Sequence, residues 1–208
     1  MKKIFIITSL VVSLLFFSSG SVQAMKDIVI SESNEYGGKT VEITFEKGEK
    51  EYDIYKKVTT YHDSKKILRK LESFYIDKIA KGKGVYLAIR YFDPNGKKIK
   101  DEEFTTEEEI ERTDFEKSVT YYDSNEIKTK TENFPPDRLV KKTGIVKTIT
   151  YYKGGKLDNT NVETIYSVEY AKEKGYNRSK ASVDIKKGII TYQYFMDDKL
   201  IKTEEIKM

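Results

Sequence analysis

Four tyrosines, Tyr61, Tyr91, Tyr121 and Tyr151, stand 30 residues apart in matching surroundings: TTYHDS at 59–64, IRYFDP at 89–94, VTYYDS at 119–124 and ITYYKG at 149–154. The register continues downstream through Phe74, Phe104 and Phe134, and then through Asp77, Glu107 and Asp137. A chain with a fixed period of this length builds one supersecondary unit several times and stacks each copy on its neighbours. A displaced copy, TYQYFMDDKL at 191–200, carries Tyr194, 43 residues after Tyr151. A degenerate leading copy spans 27–45, which makes five or six units.

Within a unit, apolar and polar residues alternate with period two, the pattern of a half-buried strand. Ile89 and Tyr91, Val119 and Tyr121, and Ile149 and Tyr151 share one side, while Thr60, Arg90, Thr120 and Thr150 take the other. A turn follows. Asp93-Pro94-Asn95-Gly96 has the residues of a type I turn in order, and Lys153-Gly154-Gly155-Lys156 suits a two-residue hairpin turn. Each unit is therefore predicted to be a β-hairpin, with return strands starting at Ile67, Ile99, Ile127, Leu157 and Leu200. Thr106 ahead of Glu107, and Pro135-Pro136, suit helix starts, so a short helical turn or loop between hairpins is expected to dock Ile79, Ile110 or Leu139 on the sheet.

The predicted fold is mainly β: antiparallel hairpins of about 30-residue period stacked into one elongated twisted sheet, since a lone hairpin is marginal in water. The columns Tyr61, Tyr91, Tyr121, Tyr151 and Tyr194, with Phe74, Phe104 and Phe134, are expected to line its apolar face. Thr, Lys and Glu are expected on the opposite face. Unpaired end strands would allow oligomers to form edge to edge.

Residues 1–24 read as a cleavable secretory signal: Lys2 and Lys3, an apolar run from Ile4 to Phe17, and a small-residue tail ending at Ala24. The apolar run is short of the ~20 residues that span a bilayer, and there is no Cys to carry a lipid anchor. Residues 25–208 then form a single hairpin-repeat domain: a first hairpin at 27–45, repeats near 52–80, 81–110, 111–140 and 141–165, an insertion at 166–187 and a last hairpin at 188–206. The expected location is periplasmic or extracellular, with only peripheral membrane contact after cleavage.

Composition narrows the chemistry. The 208 residues include no Cys and one His, which removes disulfides, thiolate nucleophiles and Cys/His metal centres, so no cofactor is expected. Without the signal, 36 basic and 34 acidic side chains remain, interleaved along the chain. That argues against a nucleic-acid partner, which calls for a basic face of one sign.

At YYDSNEIK (121–128) and YFDPNGKKIK (91–100) the unit resembles the tyrosine, turn and Gly-Lys hairpin of MORN-type repeats, and more closely the bacterial variant found in exported or antitoxin-like proteins. The likeness covers roughly residues 50–160 and implies stacked hairpins with a scaffold or interaction role. It departs in the longer period, the absence of Trp and the scarcity of paired glycines.

No catalytic residues are assigned. His62 shares a column with Phe92, Tyr122, Tyr152 and Phe195, which reads as a structural place. The acids of 101–103 and 107–109 are the densest group, and a hydrolase would need two of them converging in a cleft. Lysines near hairpin ends, Lys97, Lys98, Lys141 and Lys142 among them, would form a basic rim if the ends aligned. The insertion carries Tyr166, Tyr170 and Tyr176, as a cap or as a binding element. The expected function is an exported, non-enzymatic binding or scaffold protein whose aromatic and Lys-lined sheet contacts a protein or an anionic polymer. The alternatives are an immunity protein that neutralises a cognate toxin and, behind it, a carboxylate-dependent hydrolase.

Overall fold

The computed structural model describes residues 27–31, 33–45 and 51–208; the predicted signal at 1–24 lies outside them. The described residues contain thirteen strands in one open antiparallel sheet, and the order along the chain is the order across the sheet. They are β1 (Asp27–Ser31), β2 (Gly37–Thr44), β3 (Tyr55–Asp63), β4 (Leu68–Tyr75), β5 (Val85–Phe92), β6 (Lys98–Thr105) and β7 (Lys117–Tyr122), followed by β8 (Lys128–Phe134), β9 (Ile145–Lys153), β10 (Lys156–Tyr166), β11 (Arg178–Asp184), β12 (Ile189–Met196) and β13 (Lys199–Lys207). The predicted stack of hairpins is thus the observed fold, including the degenerate first copy, β1–β2.

The turns within the repeats are closed by aspartate. Asp63, Asp93 and Asp123 each accept two backbone N–H bonds on Oδ1, from Lys65 and Ile67, Asn95 and Lys97, and Asn125 and Ile127, at 2.8–3.0 Å. The chain leaves each turn through a left-handed residue, Lys66, Gly96 or Glu126. The fourth repeat differs as its sequence predicts: Gly154 and Gly155 both have positive φ, and Lys153 pairs with Lys156 across a two-residue turn.

Four seven-residue helices link the hairpins at the opposite edge: α1 (Asp77–Lys83), α2 (Glu107–Thr113), α3 (Asp137–Thr143) and α4 (Val168–Lys174). Each ends on a left-handed residue, Gly84, Asp114, Gly144 or Gly175. Successive connections are tied by backbone bonds: the Thr106 N–H donates to the Gly84 carbonyl at 3.0 Å, and the Ser167 N–H donates to the Gly144 carbonyl at 2.7 Å. Thr106 occupies the N-cap position but makes no side-chain capping bond.

Residues 166–187 do not interrupt the repeat. They supply α4 and β11, which continue the alternation of helix and strand, with β11 paired to both β10 and β12. The thirteen extra residues before Tyr194 are a whole further strand with its turn, and β12–β13 forms the predicted last hairpin.

The two faces differ. The helices lie on one of them, where Tyr75, Ala80 and Ala88 pack with Tyr55, Ile79 and Val85. On the same face Val41, Ile43, Phe45 and Val58 pack with Tyr55 and Leu71; Ile43 and Val58 are the most completely buried large side chains. The core therefore lies towards the N-terminal strands, and every residue of β13 is exposed.

Candidate functional site

The face opposite the helices carries three rows that run across the strands. The first alternates aromatic and cationic residues: Tyr61, Lys70, Tyr91, Lys100, Tyr121, Lys130 and Tyr151 are successive cross-strand partners. The second alternates acids with neutral side chains: Glu42, Thr59, Glu72, Ile89, Glu102, Val119, Glu132, Ile149 and Glu163. The third runs Lys57, Phe74, Leu87, Phe104, Lys117 and Phe134.

The return strands create this pattern. Read as Lys-x-Glu-x-Phe at 70–74, 100–104 and 130–134, they turn Lys, Glu and Phe to one side. Antiparallel pairing then sets each Lys against a Tyr of the neighbouring strand. The expectation that Lys and Glu lie on the face away from the aromatics is thereby corrected: both kinds of residue share this face.

From β2 to β9 most of its charges are paired internally. Lys57 meets Glu42 at 3.1 Å and Lys70 meets Glu72 at 2.8 Å; Lys100 and Lys117 both reach Glu102 at 2.8 Å; Lys130 and Lys147 reach Glu132 at 2.7 and 3.1 Å. Six ammonium groups thus hold four carboxylates. The same ammoniums lie over rings, with Lys70 4.5 Å from the Tyr61 centroid, Lys100 3.9 Å from Tyr91 and Lys130 4.3 Å from Tyr121. Phe74, Phe104 and Phe134 are covered similarly by Lys57, Lys117 and Lys147.

The pairing sets the protonation states. Burial pushes the Glu102 and Glu132 carboxyls up, but hydrogen bonds from their two lysines more than reverse this, leaving both below the usual value of 4.5. Burial, with Glu102 nearby, pushes the Tyr91 hydroxyl up to about 12. Glu102 is thus held ionised, the reverse of what a general acid requires. Asp101 and Glu103 pair with Arg90 and Ala88 and so lie on the helix face, which separates them from Glu102.

The residues predicted for binding fall in different places. Lys97 and Lys98 sit at the turn edge and Lys141 and Lys142 at the helix edge, about 25 Å apart for an eight-residue strand. Lys97 donates to the Ser124 carbonyl at 2.7 Å, and Lys98 is bound to Asp101 at 3.1 Å beneath the Tyr122 ring. Lys141 and Lys142 are exposed on the last turn of α3. These four lysines form no common rim.

Tyr166, Tyr170 and Tyr176 do come together, with centroids 4.7–6.1 Å apart, and Tyr194 joins them 4.6 Å from Tyr176. Tyr194 therefore leaves the tyrosine column to which its sequence context assigns it. It pairs with Ser179, whose row runs through Thr164, Thr148, Asn133 and Ser118 on the helix face. The cluster seats α4: Tyr170 packs over Gly144, where any Cβ would strike its ring. Beside it a cleft of about 630 Å³ opens between α4 and the β12–β13 turn, lined by Ile165, Tyr166, Ala171, Arg178, Met196 and Asp198.

Sequence reading missed the carboxylate row; the signal available was the Lys-x-Glu spacing recurring with the tyrosine period. Among the described residues no group of His, Cys, Asp and Glu could hold a metal ion, and no helix is long and apolar enough to cross a membrane. No family model, curated protein or solved structure matches this chain.

Proposed function

We propose that the chain is an exported, non-enzymatic binding scaffold that takes a protein partner on its Tyr–Lys–Glu face. The observation that carries the proposal is the internal pairing of that face. Six of its lysines are already held by glutamates and rings, so an anionic polymer would have to displace those contacts. A protein surface can cover them as they stand. Half-buried tyrosines at regular spacing offer rigid contact area of the kind enriched where protein interfaces carry most of their binding energy, and α1 packs on the other face. The likeness to MORN-type repeats agrees with a scaffold role.

The test is capture from the producer's envelope and secreted fractions at low and high salt, using the wild type, a Tyr91→Ala/Tyr121→Ala variant and a Lys141→Ala/Lys142→Ala variant, each checked for its fold by circular dichroism. The expected result is a stoichiometric protein that survives high salt, is lost with the tyrosine variant and is kept by the helix-edge lysine variant. Salt-sensitive sedimentation with cell-wall polymer, lost with the lysine variant, would overturn the proposal.

A further inference from the structure

The last strand has the sequence of an interior one. β13 reads IKTEEI at 201–206, where the interior return strands β6 and β8 read IKDEEF at 99–104 and TKTENF at 129–134. In β6 and β8 the glutamate of this pattern takes one lysine from its own strand and a second from the next: Lys100 and Lys117 for Glu102, Lys130 and Lys147 for Glu132. In β13, Glu204 has Lys202 at 3.0 Å and accepts from the Tyr194 hydroxyl at 2.9 Å. No described strand lies beyond it. Its side chain stays 48% exposed, against 8% for Glu132.

The edge itself is open. All nine residues of β13 are exposed, including Leu200, Ile201 and Ile206, and none is proline. Lys202 does not guard the edge, because it folds back over the Tyr194 ring at 4.3 Å.

We infer that β13 pairs antiparallel with β13 of a second copy, about a two-fold axis through Thr203 normal to the sheet. Such an axis keeps like faces together, so residues of the same parity meet across it. Centred on Thr203, the register sets Lys202 opposite Glu204 twice, on the face where Lys202 pairs with Tyr194 and Glu204 with Tyr192. Each Glu204 thereby gains the second lysine that interior strands supply. Moving the centre by one residue puts Lys202 or Glu204 opposite its own copy, which like charge disfavours. The irregularity at Ile201 turns Lys199 to the opposite face from Lys207, so the two do not meet. β1 offers no comparable match: it has five residues and a single charge, Asp27. The inference does not depend on what binds the opposite end or faces of the sheet.

Sedimentation of the purified chain over a range of concentrations tests this. The expected species is a dimer. Lys202→Glu or Glu204→Lys alone should raise the dissociation midpoint about tenfold or more, while mixing the two variants, or combining both changes in one chain, restores the dimer. Because the chain has no cysteine, Thr203→Cys should give a single disulfide-linked dimer on mild oxidation, its Cα separation across the axis falling within the range a disulfide spans; Val29→Cys on β1 should not. A monomer at every concentration without the Thr203→Cys cross-link, charge variants indistinguishable from wild type, or assemblies growing beyond the dimer would each overturn the inference.

Discussion

His62 shows how one residue within a repeat can be given a measurable property by its neighbours. It is buried at the place where the next copies have Phe92 and Tyr122, and its Nε2 has no hydrogen-bond partner. Burial lowers its pKa from the ordinary 6.5, with a backbone bond to Lys39 and the charge of Asp63 opposing. The unfolded chain then takes up a proton as pH falls through 6.5 while the native chain does not, so stability is lost from there down to the lowered native pKa. His62→Phe should flatten the slope of stability against pH between 5 and 7 in urea titrations; an unchanged slope would contradict it. Glu132 behaves in the opposite sense. Its lowered native pKa gives stability that is present above pH 4.5 and lost as pH falls through the native value. Glu132→Gln leaves Lys130 and Lys147 without their anion and should cost roughly 1–2 kcal/mol, allowing for the solvent that reaches both ammoniums. Glu108→Gln, in an exposed pair with Lys81, should leave the denaturation midpoint where it was.

The connecting helices depend on the left-handed residues that end them. Gly144 and Gly175 have similar φ, 73° and 77°, but Tyr170 lies against Gly144 while nothing lies within 4 Å of a Cβ at Gly175. Gly175→Ala should cost about 1–2 kcal/mol for its backbone conformation alone. Gly144→Ala should cost more, and should displace Tyr170 from its stack on Tyr166, read as a larger fall in melting temperature with a change in tyrosine near-ultraviolet dichroism. Equal losses would mean that the tyrosine cluster does not seat α4. The hairpins were legible in the sequence because their turns need particular residues: Asp123 for its two bonds, Gly154-Gly155 for positive φ. The fourth helix was not. Its closing glycine comes 31 residues after Gly144, one out of step, and its strand has Ala181 where the period predicts tyrosine. Ser167, which accepts the Tyr170 N–H at 3.2 Å, was the one local sign of a helix start.

Across the whole sheet, which residues share a face was only half legible. Alternation within a strand sorts side chains into two sets, but which set of the next strand joins them is fixed by cross-strand register. That register puts Lys100 opposite both Tyr91 and Tyr121, and so draws charge onto the aromatic face. It also sends Tyr194 to the other face, because an added strand separates it from the column. A single-layer sheet has little core, and here interlocked ammonium, ring and carboxylate groups cover the apolar rows. Cation–π and ion-pair contacts of this kind contribute about 0.5–1 kcal/mol each where partly exposed; repeated along six strands, they make the face a pre-ordered surface. The most direct measurement is the rate at which each lysine of the free protein is acetylated, followed by mass spectrometry. The predicted result is slow labelling of Lys70, Lys100, Lys117, Lys130 and Lys147 beside fast labelling of Lys141 and Lys142; equal rates for the two groups would contradict the paired face on which the proposed function rests.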